Sequence, residues 1–433
     1  MASRVSRFPA IAVTNAEQAQ YDGMASSLLR KAVGEYSSFH GHIDTDDWAH
    51  VRKKKQMNIY RSLLGTDDPR VTLMVGTGLI AGALEDVMDG LYADTTADFR
   101  AVKTFTSRNF IDGAVLNVSE KRIPEAPFRF AGIKWSAAKA AWGVTQHRDI
   151  LTYERMGTTM DAHGNELAFH VLQSIECPDW IVDAVKGVKR ARTATCYLYR
   201  RCDSRVQCFV WAELFDLGSS SKWVAERTVA GVLLNVVHSV ECAEAKKCWK
   251  LIHAAQEKST ASSQYVHLAW FLSASIFRAF SGSLAPLLTS MVTGSCSRTC
   301  HVCYKGSGVF DHLRTCAGCA QKVCKTCSQH RSVFGLDPRT GKPMEERFCK
   351  LCISKVVSSP ALVSRSPTPR RSLQSDSGTH RPFRAVANKV KAERARSAPP
   401  HRFLAESRHI KRPLQYTELL SRKDEDDNGA SNH

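Results

Sequence analysis

The chain has 433 residues, carries 60 Lys or Arg against 42 Asp or Glu for a formal charge of +18, and is 43% apolar. That length and apolar content provide for two or three domains, one of them with a sizeable core. Met1 to Val13 holds Arg4, Arg7 and only a short apolar run, which falls short of a signal-peptide core. An intracellular, basic protein is therefore expected, and its charge favours anionic surfaces rather than a defined nucleic-acid site.

In chain order, Thr14 to Phe39 reads as a helix, because Ala16, Tyr21, Met24, Leu28, Leu29 and Val33 recur at spacings near three and four. Val71 to Ala81 then places an apolar run over Gly76-Thr-Gly78, a match to the dinucleotide fingerprint. The reading is rejected because Asp94-Thr-Thr-Ala-Asp98 is a polar turn where a second buried strand ending in an acid is needed. Instead the glycines are expected to shape the opening of an inner helix over Gly78 to Tyr92. Strand-like runs follow at Phe99 to Phe110, Ile150 to Thr159, Glu166 to Glu176, Thr193 to Arg201 and Arg205 to Leu217. In the last of these Val206, Cys208, Val210, Ala212 and Leu214 alternate with Phe209, Trp211 and Phe215, so both faces are apolar and both are expected to be covered.

A long helix is expected from Ser221 to about Lys258, on the stripe Ala225, Val229, Val232, Leu233, Val236 and Val240. Beyond it, Tyr265 to Phe280 is apolar but interrupted by His267 and Arg278, too short to span a bilayer. It is expected to dock on the first domain or to lie at a membrane surface, with a Ser-Gly-Ser and Pro286 linker after it. Val356 to His433 is rich in Ser-Pro and Thr-Pro and ends on an acidic run at 424–427, the composition of a disordered tail. Ser366 and Thr368 beside Arg365, Arg370 and Arg371 are candidate phosphorylation sites, or plain linker.

Between these segments lies the strongest chemical signal, four C-x2-C pairs: Cys300/Cys303, Cys316/Cys319, Cys324/Cys327 and Cys349/Cys352. Eight thiolates make two closed tetrahedral sites for two zinc ions that are structural rather than catalytic. The remaining cysteines, Cys177, Cys196, Cys202, Cys208, Cys242, Cys248 and Cys296, have no metal-ligand spacing and read as small buried hydrophobes. No G-x-S-x-G elbow, P-loop or H-E-x-x-H occurs, and the sixteen histidines are dispersed, so the chain is not expected to be an enzyme.

The spacing C-x2-C-x12-C-x2-C-x4-C-x2-C-x21-C-x2-C, with Lys305-Gly306 and Arg347-Phe348-Cys349, resembles a FYVE-type finger. The resemblance implies a cross-brace in which Cys300, Cys303, Cys324 and Cys327 hold one zinc while Cys316, Cys319, Cys349 and Cys352 hold the other. It also implies binding of phosphatidylinositol 3-phosphate. The family's basic R-[RK]-H-H-C-R-x-C-G stretch is reduced here: Arg314 and Thr315 stand for the histidines, Ala317 for the arginine and Ala320 for the last glycine. Arg347 is left as the bidentate candidate for a phosphate, with His312, Arg314 and Lys325 as point charges. Val309 and Phe310 occupy the family's membrane-inserting loop, where Phe310 either inserts or packs on the zinc core. From Cys296 to Lys355 there are eleven Lys or Arg against four Asp or Glu, which favours an anionic membrane or an acidic protein.

The order of helix, strands, inner helix, strands and closing helix is a helix-grip pattern, and it resembles the START-type lipid-transfer domain. With Gly82-Ala-Leu-Glu-Asp-Val-Met-Asp-Gly-Leu-Tyr92 ahead of a FYVE-like finger, the chain is similar to START-like and FYVE-containing proteins abundant in oomycetes. An α+β architecture is thus expected: an N-terminal segment over 1–44, a START-like domain over 45–258, an apolar helix and linker over 259–295, a two-zinc finger over 296–355 and a tail over 356–433. The resemblance implies an apolar cavity for one hydrophobic lipid, the alternative being a filled core. The implied function is a non-enzymatic peripheral membrane adaptor, cytoplasmic and on endosomal membranes. The alternative is a protein-interaction module, RING-like or a degenerate FYVE finger, without lipid specificity.

Overall fold

The computed structural model describes residues 8, 10–39, 41, 43–139, 147–177, 188–215, 222–277, 299–306 and 312–359, with the backbone alone described over 259–277. Helix α1 (Asn15–Ser38) starts on a capping box in which Thr14 and Glu17 satisfy each other's backbone N–H groups. Ten strands then form one sheet: β1 (Trp48–Lys54), β2 (Gln56–Ser62), β3 (Val71–Ala81), β4 (Phe110–Glu120), β5 (Phe130–Ala138), β6 (His147–Met160), β7 (Glu166–Ser174), β8 (Val188–Arg190), β9 (Arg192–Cys202) and β10 (Arg205–Phe215). Their order is β1-β2-β3-β10-β9-β7-β6-β5-β4, antiparallel throughout except for short β8, which pairs parallel with β6. The turn Asp161–Asn165 joins β6 to β7 as its residue types predict, with Asp161 Oδ1 accepting from the backbone N–H groups of His163 and Asn165.

Both faces of β10 are covered. On one side α1 lays Tyr21 against Tyr153 and Tyr36 edge-on against Phe209, and Lys31 sits over Trp211. On the other, Val206, Cys208, Val210, Ala212 and Leu214 share a core with Met57, Ile59, Met74, Val87, Met88, Leu233 and Val237. An antiparallel sheet carrying a C-terminal helical segment on one face is the predicted helix grip.

Three elements differ from the sequence reading. Phe99 to Phe110 is not a strand: helix α3 (Thr96–Thr106) occupies most of it, and β4 begins only at Phe110. Phe99, Ala101, Lys103 and Phe105 alternate as in a strand, while Phe99, Val102 and Thr106 also repeat at helical spacing. The N-cap decides, as Thr95 Oγ1 accepts from the Asp98 N–H at 3.1 Å. The inner helix, α2 (Leu84–Leu91), is shorter than expected, and Gly76 and Gly78 lie inside β3 rather than at its opening. Gly78 pairs with both Met57 and Cys208, and a Cβ there would stand 2.0 Å from the Gln56 carbonyl oxygen. Close strand approach is what this glycine provides.

The long closing helix is broken into α4 (Lys222–Leu233), a tightened 3-10 turn (Leu234–His238) and α5 (Ser239–Phe277). The turn buries Leu234, Val236 and Val237 against the sheet, and α5 then leaves the sheet for α2 and the cysteine-rich module. Lys246 and Lys247 anchor α5 on α2: Lys246 Nζ donates to the carbonyls of Asp89 and Tyr92, and Lys247 Nζ lies 2.8 Å from Asp86. The backbone of α5 continues through the expected apolar helix as far as Phe277, while 278–298 and 360–433, with most of the expected linker and tail, lie outside the described residues. Among the described residues no helix is long and apolar enough to cross a membrane.

The cysteine-rich module holds β11 (Arg314–Thr315) paired with β12 (Lys322–Val323), a hairpin of β13 (Ser328–Leu336) and β14 (Pro343–Cys349), and a last helix α6 (Lys350–Ser358). It does not stand apart from the sheet domain. Cys248 and Ile252 of α5 belong to the same core as Val333, Phe348, Ile353 and Val356, and Trp249 packs on it. Lys247 Nζ also donates to the Val356 carbonyl at 3.1 Å, and Phe105 of α3 stacks on Phe334 of β13 with centroids 6.4 Å apart. The Trp249 ring lies over Gly335, where an added Cβ would meet it at 2.9 Å. We expect Trp249→Ala to lower the unfolding free energy by about 2 to 3 kcal/mol, less than full burial gives because this ring is only part-buried. Urea titration checks this, and an unchanged midpoint would mean that the hairpin does not depend on this contact.

Candidate metal centre and ligand cavity

The eight predicted cysteines are brought together in two groups of four. In Cys300, Cys303, Cys324 and Cys327 the sulfurs all lie within 4.8 Å of one another, and the same holds for Cys316, Cys319, Cys349 and Cys352. This is the interleaved pairing that the resemblance implies. Regular tetrahedral coordination at about 2.3 Å sets sulfurs about 3.8 Å apart. Cys303 and Cys324 have Sγ atoms 3.8 Å apart, and Cys319 and Cys349 have theirs 3.9 Å apart. Four soft donors at that spacing fit zinc.

Local backbone geometry explains the grip. After each of the first two pairs the chain turns through one left-handed residue, Tyr304 (φ 58°) and Ala320 (φ 58°). Their N–H groups donate to the carbonyls of Cys300 and Cys316 at 2.8 Å. Ala320 adopts this left-handed φ without the freedom that glycine has there. Backbone N–H groups also point at sulfur: Val302 N to Cys300 Sγ at 3.4 Å, Cys349 N to Cys316 Sγ at 3.2 Å and Cys352 N to Cys349 Sγ at 3.4 Å. Burial alone pushes the Cys300 thiol up, but the N–H groups of Cys324, Cys303 and Val302 bring it down to about 6. The thiolate is the ligand form, and a bound ion would also have to draw it from Cys319 and Cys327, whose thiols burial pushes up. Outside the two groups, burial pushes Cys196, Cys208 and Cys242 up, in line with small buried hydrophobes, whereas Cys202 is exposed.

The predicted head-group residues sit on different elements of this module. Arg314 is exposed on β11, Lys325 is exposed in the 3-10 turn 325–327, and His312 is exposed just before β11. Arg347 on β14 is part-buried and already engaged: its guanidinium donates to Ser328 Oγ at 3.1 Å and to His330 Nε2 at 2.7 Å. Val309 and Phe310 lie outside the described residues.

A cavity of about 270 Å³ opens between the sheet and the α4 segment. Its walls include Leu91, Phe110, Ile150, Leu172, Leu214, Val224, Val229 and Val232, and β9 contributes Thr193, Thr195, Tyr197 and Tyr199 from one face. Mostly apolar walls with a few polar groups are the usual make-up of a small-molecule site. Beside it lies a buried charge cluster that the sequence reading missed. Glu154, 3% exposed, lies 2.9 Å from Lys134 Nζ and 3.2 Å from His170 Nε2. Burial opposes charge on Glu154, yet Lys134, His170 and Lys103 hold its carboxyl below the usual range, while burial pushes His170 down despite Glu154. In sequence the three are polar positions on separate strands, and only strand pairing sets them side by side.

Neither a family model nor a curated protein matches this chain. Among solved structures it is similar to human StAR-related lipid transfer protein 5, with a TM-score of 0.39 and 15% identity over 52% of this chain and 98% of that one. It is also similar to the human StarD13 (DLC2) lipid transfer and protein localization domain (TM-score 0.34, 13% identity, 49% and 94% of the two chains). A STAR-related lipid transfer protein fragment from Xanthomonas axonopodis gives a TM-score of 0.34 and 15% identity over 45% and 97%. The helix grip itself is defined by the strand order and closing helix of this chain.

Two outcomes are expected. Cys324→Ser leaves one zinc per chain by native mass spectrometry, retained by Cys316, Cys319, Cys349 and Cys352, and faster hydrogen exchange over residues 245–256; two retained zincs would overturn this ligand set. Glu154→Leu leaves Lys134 buried without its counter-charge and costs about 3 to 5 kcal/mol in urea unfolding at neutral pH.

Proposed function

We propose that this protein is a non-enzymatic, lipid-binding peripheral membrane adaptor of the cytoplasm. The helix-grip cavity holds one hydrophobic lipid, and the zinc-stabilised finger works as a degenerate FYVE-type module on anionic, phosphoinositide-bearing membrane of the endosomal kind. The apolar cavity under α4 is the observation that carries this reading. When bound, zinc supplies structural cross-links between the finger's turns, because all four positions around each ion are taken by cysteine and none remains for water or substrate.

The residues of the chain do the rest. His312, Arg314 and Lys325 present exposed positive or protonatable groups, and Arg347 adds a planar guanidinium suited to phosphate. Docking on α3 and α5 ties the finger to the cavity domain, so a head group held by one and a lipid held by the other act on a single body. A second reading is favoured by the engagement of Arg347 with Ser328 and His330: the finger is then a structural or protein-docking module without lipid specificity.

Co-sedimentation of the full zinc-loaded protein with vesicles carrying each phosphoinositide in turn, at physiological salt, separates the two readings. The first expects a preference for the 3-phosphate and a loss of about tenfold in affinity for Arg347→Ala, the scale of one charge-assisted pair. Binding that follows vesicle charge alone, or none, supports the second.

A further inference from the structure

We infer that the helix-grip cavity takes a single-chain amphiphile with a carboxylate head, which lies against the Lys103 ammonium. This inference rests on the reading above that the cavity holds a lipid, and names its class. The first observation is the balance of charge. The cavity wall carries Lys103, Lys139, Arg148 and Arg192 and no acidic side chain. Arg192 is bonded to Glu176 at 2.8 Å, but the Lys103 ammonium makes no hydrogen bond or ion pair among the described residues. Its Nζ lies 5.2 Å from the ring centre of buried Phe99, while Lys134 Nζ lies 5.4 Å from that same ring. Two ammonium groups therefore share one interior corner, and the Glu154 carboxylate there is bound to Lys134 and His170. One positive charge is left over on the part-buried Lys103, and an ammonium held against apolar walls favours a counter-charge. Burial pushes Lys103 down from its usual range, with Lys134 adding to the effect and Glu154 opposing it, and a bound anion would oppose that shift.

The second observation is independent of charge. Tyr199 is fully buried and lines the cavity, and its hydroxyl has no hydrogen-bond partner among the described residues, whereas Tyr197 beside it donates to the Leu233 carbonyl at 3.2 Å. A buried hydroxyl without a partner in an apolar site is a group awaiting a ligand or water. A cavity of about 270 Å³ suits a medium-length chain rather than a two-chain lipid.

Isothermal titration of the full zinc-loaded protein with decanoate and with decan-1-ol tests this. The two probes share a chain and differ in the head. The wild type is expected to bind decanoate at least tenfold tighter. Lys103→Met is expected to lose that preference while still binding decan-1-ol, and Lys103→Arg to keep it, with circular dichroism confirming that both are folded. Equal affinity of the wild type for acid and alcohol, a comparison that needs no variant, overturns the inference and leaves the lipid cavity standing. A preference unchanged in Lys103→Met overturns it too, by moving the anion elsewhere. Binding of neither probe overturns the lipid-cavity reading itself.

Discussion

Helix α5 is the element on which the rest depends, because the same few turns close one module and wall another. Lys246 and Lys247 lower their ammonium groups onto α2, one to the carbonyls of Asp89 and Tyr92 and the other to Asp86. Lys247 reaches the Val356 carbonyl of the last helix as well, so a single side chain ties the inner helix to the cysteine module. Directly after them, Cys248, Trp249 and Ile252 complete a core whose other side is built by Val333, Phe348 and Ile353. A finger of about sixty residues has little apolar material of its own, and α5 supplies the missing wall.

Metal coordination by the two cysteine sets would therefore act on more than the finger. Ion binding stabilises a folded site that the unfolded chain does not contain, and here the folded site extends through β13 onto α3 and α5. The two modules are coupled through packing rather than through a loose tether. That geometry changes what a membrane contact would mean: a finger fixed on the helix grip would set the angle at which the cavity domain meets a surface, whereas a tethered finger would only raise local concentration.

Charge inside the sheet domain follows a different logic. Lys134, Glu154 and His170 sit on three neighbouring strands, β5, β6 and β7, and satisfy one another where water does not reach. Such a cluster contributes little net stability compared with apolar residues of equal size, but it cannot lose one member cheaply. Lys103 arrives from α3, outside this ladder, and brings a charge that the ladder does not neutralise. On the proposed reading, stability and ligand selection would thus fall to adjacent groups in the same corner.

By itself the sequence determined the elements whose chemistry is local. Four C-x2-C pairs specify two tetrahedral sets because thiolates two residues apart can only meet a metal from a tight turn, and the two-faced apolar pattern of β10 specifies a strand covered on both sides. It could not distinguish α3 from a strand, since Phe99 to Phe105 satisfies both periods until the Thr95 cap is seen. Nor could it show that Gly78 serves a strand crossing, that Leu234–His238 breaks the closing helix, or that the finger shares a core with α5. The excess cation of the cavity was likewise hidden. Lys103 and Glu154 stand 51 positions apart, and which buried charge finds a partner is decided only when distant strands and helices are packed, because electrostatic pairing depends on separation in space and not along the chain.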